Sequence, residues 1–406
     1  MKVCRRIVAC FGLCLGNAAS AQDFQLHGFL DLRVVDAPGE RSWVDGGLGK
    51  TRYGGGGLQA RFGAGALIGT AQFTPALLGY ADVQVQNTDQ ARAELVEAYL
   101  RYRPVSMTPW RWSVKLGTFF PPISLENDAI GWTSPWTLTP SAINSWVGEE
   151  LRSTGAEFRL EHRGERSGWD ASLGVFGYND PAGELLAARG WSMSDLTAGF
   201  GRQLREPDVY ALDEFASPPL RYKPFVELDH RPGWYGDVVW HSNEFGEVRL
   251  LRYDNRADAT RSSTYDGHTT FAWRTDFWSL GARTRIGDIE FIAQAMDGAT
   301  VIHPVPSFVG ETDFHAGYLL AGWATGEWRP ALRVDFFSLR QIPSSEIALS
   351  EHGNAITAAL NWRPRPWLRL TGEVLRVESW RQQRRLEGES PRETDLQMQL
   401  GARFLF

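Results

Sequence analysis

Cysteine is nearly absent from this chain, and the positions of the few cysteines matter more than their number. They are Cys4, Cys10 and Cys14. All three lie in residues 1 to 21, a stretch with the features of a secretory signal peptide. Removal of that stretch leaves a mature chain without cysteine, which excludes a disulfide, a thiolate nucleophile and a cysteine-based metal site.

The signal peptide is predicted from a basic start, a short apolar stretch and a group of small residues. These are Lys2, Arg5 and Arg6, then Ile7 to Leu15, then Ala19-Ser20-Ala21. A membrane-spanning helix needs about 20 apolar residues, so this stretch is too short to remain as an anchor. We expect cleavage after Ala21 and a mature chain that starts at Gln22. A lipoprotein signal ending at Cys10 is the alternative, but its apolar region would be very short.

Lysine is also scarce, and the chain is acidic. Outside the predicted signal peptide only Lys50, Lys115 and Lys223 remain, so arginine carries nearly all of the positive charge. Without the three basic residues of the signal peptide, 39 of the 42 basic residues stand against 48 acidic ones, a formal charge of −9. This balance argues against nucleic-acid binding.

Long apolar runs are missing as well. Even the stretch from Phe62 to Tyr80 is interrupted by Gln72, Pro75 and several glycines. A helical membrane protein is therefore not expected. A closed barrel is the other structure that satisfies every backbone hydrogen bond in lipid. No linker or change of composition marks a domain boundary, so residues 22–406 are predicted to form one domain.

Alternation of apolar and polar residues takes the place of apolar runs. In residues 96–102, Val96, Ala98 and Leu100 alternate with Glu97, Tyr99 and Arg101. The same pattern recurs in residues 81–86, 328–336, 356–363 and 368–374. The many charges on the polar face favour a wide, wet barrel over a soluble sandwich. The predicted fold is all-β, a transmembrane antiparallel β-barrel of about 16 strands in the cell outer membrane, with a two-residue hairpin turn at Gly287-Asp288.

The aromatic residues and the end of the chain agree with a membrane barrel. Several of the 17 tryptophans stand at predicted strand ends, where the membrane interface favours them. The last strand places Leu400, Phe404 and Phe406 on one apolar face. This ending is similar to the signal that barrel-assembly machinery reads. The expected partners are that machinery, outer-membrane lipid and lipopolysaccharide, and a small hydrophilic solute.

Three stretches carry a family resemblance. They are LVEAYLRYRP from Leu95, KLGTFFPPISLEN from Lys115 and EELRSTGAEFRL from Glu149. With them the mature chain resembles the phosphate-selective porin O/P-like superfamily of sixteen-stranded barrels. The resemblance implies that residues 121–148 fold into the barrel as a constriction loop. It also implies a homotrimer, the form in which porins of this kind often occur.

The loop departs from the phosphate-selective pattern because Pro121 to Leu151 contains no lysine or arginine. It carries four carboxylates, at Glu126, Asp128, Glu149 and Glu150. An acidic constriction would repel phosphate, so saccharides or cations are the expected solutes rather than phosphate.

Tryptophans and arginines complete the predicted pore. Trp132, Trp136 and Trp146 lie in the loop beside hydrogen-bonding residues, which suits saccharides, although they would equally anchor the loop to the wall. On the wall, the inward arginines are Arg101, Arg159, Arg283 and Arg333. They form either a basic strip opposite the loop or ion pairs with acidic neighbours.

The predicted function is a porin-like channel for diffusion of small hydrophilic solutes, without cofactor or metal. Two alternatives stay open, a barrel-embedded hydrolase and a non-conducting structural or adhesion barrel. None of the eight histidines has a metal-ligand spacing. The nearest approach to a nucleophile and base is Asp229-His230 with His241 and Ser242.

Overall fold

The computed structural model describes residues 23–90, 92–209, 220–342 and 350–406. The predicted signal peptide, residues 1–21, lies outside the described residues. None of the helices in these ranges has the length and apolar character needed to cross a membrane.

Sixteen antiparallel strands form a closed barrel, which confirms the predicted fold class. The strands of the chain are β1 (Asp23–Ala37), β2 (Gly56–Thr74), β3 (Leu77–Gln86), β4 (Ala93–Tyr102), β5 (Trp110–Phe119), β6 (Ser153–Arg163), β7 (Ser167–Gly177), β8 (Leu204–Arg205), β9 (Arg221–Tyr222), β10 (Gly233–Ser242), β11 (Gly246–Asp254), β12 (Ser262–Tyr265), β13 (His268–Phe271), β14 (Arg274–Ile286), β15 (Ile289–Val305), β16 (Phe308–Trp323), β17 (Trp328–Ile342), β18 (Glu351–Arg365), β19 (Leu368–Arg381) and β20 (Arg392–Leu405). Two pairs, β8 with β9 and β12 with β13, form small separate sheets. All the others pair in chain order around the barrel.

The barrel closes between its first and last strands. Phe29 of β1 is opposite Leu405 of β20, and the Gly28 N–H donates to the Phe406 carbonyl at 2.9 Å. Closure leaves no strand edge unpaired, as a barrel in lipid requires.

Alternation along the strands separates an apolar outer face from a mostly polar inner face. On β17, Leu332 and Phe336 are 51% and 61% exposed, whereas Arg333 and Asp335 between them are fully buried. Large apolar side chains on the outside and charges on the inside are the pattern of a membrane barrel. The outer face is therefore the face that meets lipid.

The two ends of the barrel differ in their connections. One end has short turns, and Gly287 and Asp288 join Ile286 directly to its partner Ile289, as predicted from the sequence. Gly287 has a φ of 60°, which a tight hairpin turn requires. The other end has long connections that turn into the lumen. These carry helices α1 (Ala142–Glu150) and α2 (Glu184–Arg189), whose residues are all buried.

Candidate functional site: the barrel interior

The barrel interior has two different sides. We call the inner faces of β15 to β20 and β1 the packed wall, because the long connections lie directly on them. The charged wall consists of inward charges on β4 to β7, β10, β11 and β14, of which Glu157, Asp170 and Asp237 are buried and the others are partly exposed. Its members are Arg101, Lys115, Glu157, Arg159, Asp170, Asp237, Glu247, Arg249 and Arg283.

The connection 121–148 is tied to the packed wall by Arg333. The guanidinium bonds Glu126 of the loop at 2.6 Å and Asp335 of its own strand at 2.8 Å. It also donates to the carbonyls of Thr139 and Pro140, at 2.8 and 3.0 Å. Both side chains of the ion pair between Arg333 and Glu126 are fully buried. Glu126 is thus a clamp between loop and wall and does not face open water.

Two further wall residues hold the loop backbone. Glu373 accepts from the amides of Leu138, at 2.6 Å, and Thr139, at 3.2 Å. The Asn361 side-chain amide donates to the Trp136 carbonyl at 2.6 Å. These bonds fix the path of the loop along the packed wall.

Glu149 and Glu150, at the end of α1, are also buried. Glu150 accepts from the Trp146 indole N–H and from the Tyr222 hydroxyl, both at 2.6 Å. Glu149 pairs with Arg189. Burial raises the pKa of Glu149 to about 8 although Arg189 acts in the opposite direction. These two carboxylates therefore connect 121–148 to the later connection that carries α2.

Asp128 is the member of the predicted acidic set that remains exposed. Its side chain is 49% exposed and pairs with Arg283 of the charged wall at 2.8 Å. The predicted acidic ring of four carboxylates is thus divided. Three are buried in contacts that hold the interior together, and one stands where the loop meets the charged wall.

The three predicted tryptophans also differ in exposure. Trp136 and Trp146 are 3% and 1% exposed, and Trp146 lies edge-on to Phe314 at 5.2 Å between ring centroids. Trp132 is half-buried and stacks on Phe120 at 4.2 Å. Trp136 and Trp146 are therefore buried anchors of the loop. Of the three indole rings, only that of Trp132 is partly exposed.

The four predicted arginines all point inward, but not to one strip. Arg159 pairs with Asp170 at 2.8 Å, and Arg283 pairs with Asp128. Arg333 belongs to the packed wall. Arg101 is half-buried and has no ion-pair partner among the described residues. Three of the four predicted arginines are therefore in ion pairs.

The sequence analysis assigned no role to residues 178–209, which also hold the barrel interior together. Asp195 in this segment binds Arg33 of β1 at 2.5 Å and Arg52 at 2.8 Å. Burial alone would raise the pKa of Asp195, but the two guanidiniums lower it to about 2. No short motif signals such a contact, because its partners are more than 140 residues away in the chain.

The residues considered for hydrolysis do not meet. His230 lies before β10, whereas His241 and Ser242 lie at the far end of that strand. At about 3.3 Å per residue, the strand separates the two groups by roughly 30 Å. His241 instead faces Asp170 at 3.9 Å.

Solved structures of outer-membrane proteins share this architecture. The loop L8 deletion mutant of OmpT, an outer membrane protein of Vibrio cholerae, has a TM-score of 0.55 at 9% identity, covering 95% of this chain and 100% of that chain. The anion-selective porin from Comamonas acidovorans gives 0.54 at 13% identity, covering 95% and 99%. The outer membrane channel DcaP of Acinetobacter baumannii gives 0.55 at 11% identity, covering 95% and 97%.

No protein-family profile matches the sequence, and neither does any curated protein. At such low identities the structural likeness concerns the fold. The chain has the fold of these outer-membrane proteins, a closed antiparallel β-barrel of sixteen strands. Its narrower resemblance to the phosphate-selective O/P-like superfamily stays a prediction.

Proposed function

We propose that this protein is a passive outer-membrane channel for small hydrophilic solutes, with its passage along the charged wall. The observation that carries the proposal is the exposure of that wall. Arg159, Arg283 and Lys115 point into the barrel, yet their side chains are 32%, 26% and 20% exposed. A conducting lumen is filled with water, so the charges that point into it are expected to be exposed to water.

The wall carries both signs of charge in close pairs. Lys115 and Glu157 are 3.0 Å apart, and Arg249 and Glu247 are 3.2 Å apart. Paired charges give a polar lining with little net field, which suits solutes of modest charge. A preference of the channel for cations would depend on the exposed carboxylate of Asp128. A preference for saccharides would depend on the partly exposed ring of Trp132. We propose that the segment 121–148 narrows the passage from the opposite side.

A pair of adjacent substitutions tests this placement. Ser172 of β7 points inward beside Asp237, whereas its neighbour Leu173 faces lipid and is 54% exposed. Ser172→Trp should lower single-channel conductance in planar bilayers, because the indole would enter the passage. Leu173→Trp, the matched control, should leave conductance unchanged.

A specific observation favours the second candidate, a non-conducting structural barrel. Both helices of the inner connections are fully buried, so a large share of the lumen is packed. If purified, correctly folded wild-type protein showed no conductance, the channel proposal would be overturned and the structural barrel would be favoured.

We further propose a homotrimer, supported by the trimer form of OmpT from Vibrio cholerae, which has a TM-score of 0.52 at 10% identity and covers 95% of this chain and 99% of that chain. An apolar groove of about 850 Å³ crosses the outer face near the barrel closure. Its floor includes the small residues Ala60, Gly372 and Ala402, which allow close approach of another surface. The mass of the detergent-solubilised protein by light scattering would test this assembly. The rest of the outer face would contact lipid and lipopolysaccharide, and assembly machinery would read the last strand.

A further inference from the structure

A group of arginines lies on the packed wall near its short-turn end. Arg369 of β19 is directly opposite Arg403 of β20. On the other side, Trp362 of β18 is paired with Leu370, and Arg363 and Arg369 are the residues that follow this pair, at the point where the register of the two strands shifts. Like charges in directly opposite positions of two strands destabilise a sheet. Such an arrangement therefore calls for a compensating negative charge.

Arg403 has that compensation within the protein. It bonds Asp31 at 2.8 and 2.6 Å and donates to the Thr133 hydroxyl at 2.8 Å. Asp31 is shared with Arg33 as well, at 3.0 Å. Glu373, another carboxylate on this wall, accepts from the amides of Leu138 and Thr139. The acidic groups of this region are thus already bonded.

Arg369 and Arg363 lack such partners among the described residues. Arg369 is 2% exposed, and its Nη1 donates to the Ser134 carbonyl at 3.2 Å. The Nε and Nη2 of Arg369, and the Nε of Arg363, are buried without a hydrogen-bond acceptor. The guanidinium of Arg329 of β17, in the same group, lies over the ring of Trp136, 5.8 Å from the ring centroid.

A buried charge without a partner is among the most costly features a folded chain can contain. Guanidinium groups present a planar fork of donors that matches the oxygens of phosphate or carboxylate. Arg363 is half-buried, so the group retains an approach from the lumen. Free donors, positive charge and limited access together describe a binding site for a small oxyanion.

We propose that Arg363 and Arg369 bind a small oxyanion, such as inorganic phosphate, beside Thr133 and Ser134. The anion links the wall to the segment 121–148 and acts as a resident part of the interior rather than as cargo. This inference goes beyond the proposed function, because binding and its effect on stability do not require conduction.

The test uses the purified full-length barrel in detergent, with inorganic phosphate as the probe. Thermal unfolding is followed with increasing sodium phosphate and with sodium chloride of equal ionic strength. Wild type should show a saturating rise of its midpoint in phosphate beyond that in chloride, because a ligand that binds only the folded state stabilises it. Arg369→Met should lose the extra rise, and Arg363→Gln should reduce it.

Arg340→Gln is the matched control, since Arg340 lies on β17 with a side chain that is 71% exposed. It should keep the full response. Arg369→Met removes an unpartnered charge, so in chloride it should be at least as stable as wild type. If it does not fold, the half-buried Arg363→Gln carries the comparison. A wild-type rise no larger than that in chloride, or an equal rise in wild type and Arg363→Gln, would overturn the proposal.

Discussion

Arg333 on the packed wall and Arg283 on the charged wall each bind the segment 121–148, but in different environments. Each points into the barrel, and each pairs with a carboxylate of the segment 121–148. Arg333 and Glu126 are fully buried, whereas the side chains of Arg283 and Asp128 are 26% and 49% exposed. On the packed wall the pair is isolated from water and fixes the loop. On the charged wall the pair is partly exposed, so water screens its charges.

The largest expected effect comes from breaking the buried pair. Arg333→Met leaves Glu126 and Asp335 without their cation inside the barrel, which should cost about 3–5 kcal/mol. The segment 121–148 should then detach from the wall. Denaturant unfolding and limited proteolysis of the segment would both report the loss.

Arg283→Met is the comparison on the other wall. Because this pair is exposed, its removal should cost at most about 1 kcal/mol. Equal destabilisation by the two substitutions would show that the two walls do not differ in the way that their burial indicates.

A smaller effect is expected from pH in the connection that carries α2. Burial raises the pKa of Glu206 to about 7, and burial also raises the pKa of its hydrogen-bonded neighbour Glu184. The folded state therefore holds protons that the unfolded state releases above about 4.5. Stability of this region should fall as pH rises from about 4.5 to about 7.

Glu206→Gln should flatten that decline, because an amide stays neutral and still donates to Glu184. The measurement is hydrogen exchange of the α2 amides across this pH range, corrected for intrinsic rates. Glu165→Gln, at an exposed turn, is the control and should follow wild type. A wild-type α2 whose protection does not change with pH would contradict the expectation.

The smallest effect concerns selectivity. Asp128→Asn should lower the cation-to-anion permeability ratio, and the change should shrink in salt near 1 M, where the Debye length is about 3 Å. Reversal potentials in a salt gradient would measure it.

Glu126→Gln removes the same charge from a buried position. It should loosen the loop while changing the permeability ratio less than Asp128→Asn does. If both variants changed the ratio equally, the passage would also run past the packed wall.

The barrel itself was predictable because lipid imposes a local rule. Alternation at residues such as Leu332, Arg333, Val334 and Asp335 identifies a strand with two faces from a few neighbouring residues. The Gly287-Asp288 turn was predictable for the same reason, since a hairpin turn has its own local signature. The predicted strand number of about sixteen was confirmed by the closed barrel.

For the barrel interior, only the types of residue that it contains could be predicted from the sequence. The sequence marks Glu126, Asp128, Glu149 and Glu150 as carboxylates of one segment, but not which of them meets water. Glu126 is buried because Arg333, 207 residues away, bonds it, and Asp128 is exposed beside Arg283, 155 residues away.

The sequence by itself determined which residues face lipid and which face inward, since the period of two in a strand follows from backbone geometry and the polarity from the solvent on each side. Only the tertiary structure decided which inward charges are buried in structural contacts and which remain exposed to water. That choice depends on how the long connections fold against particular strands. An ion pair changes from a clamp to a screened surface charge according to whether such a connection covers it.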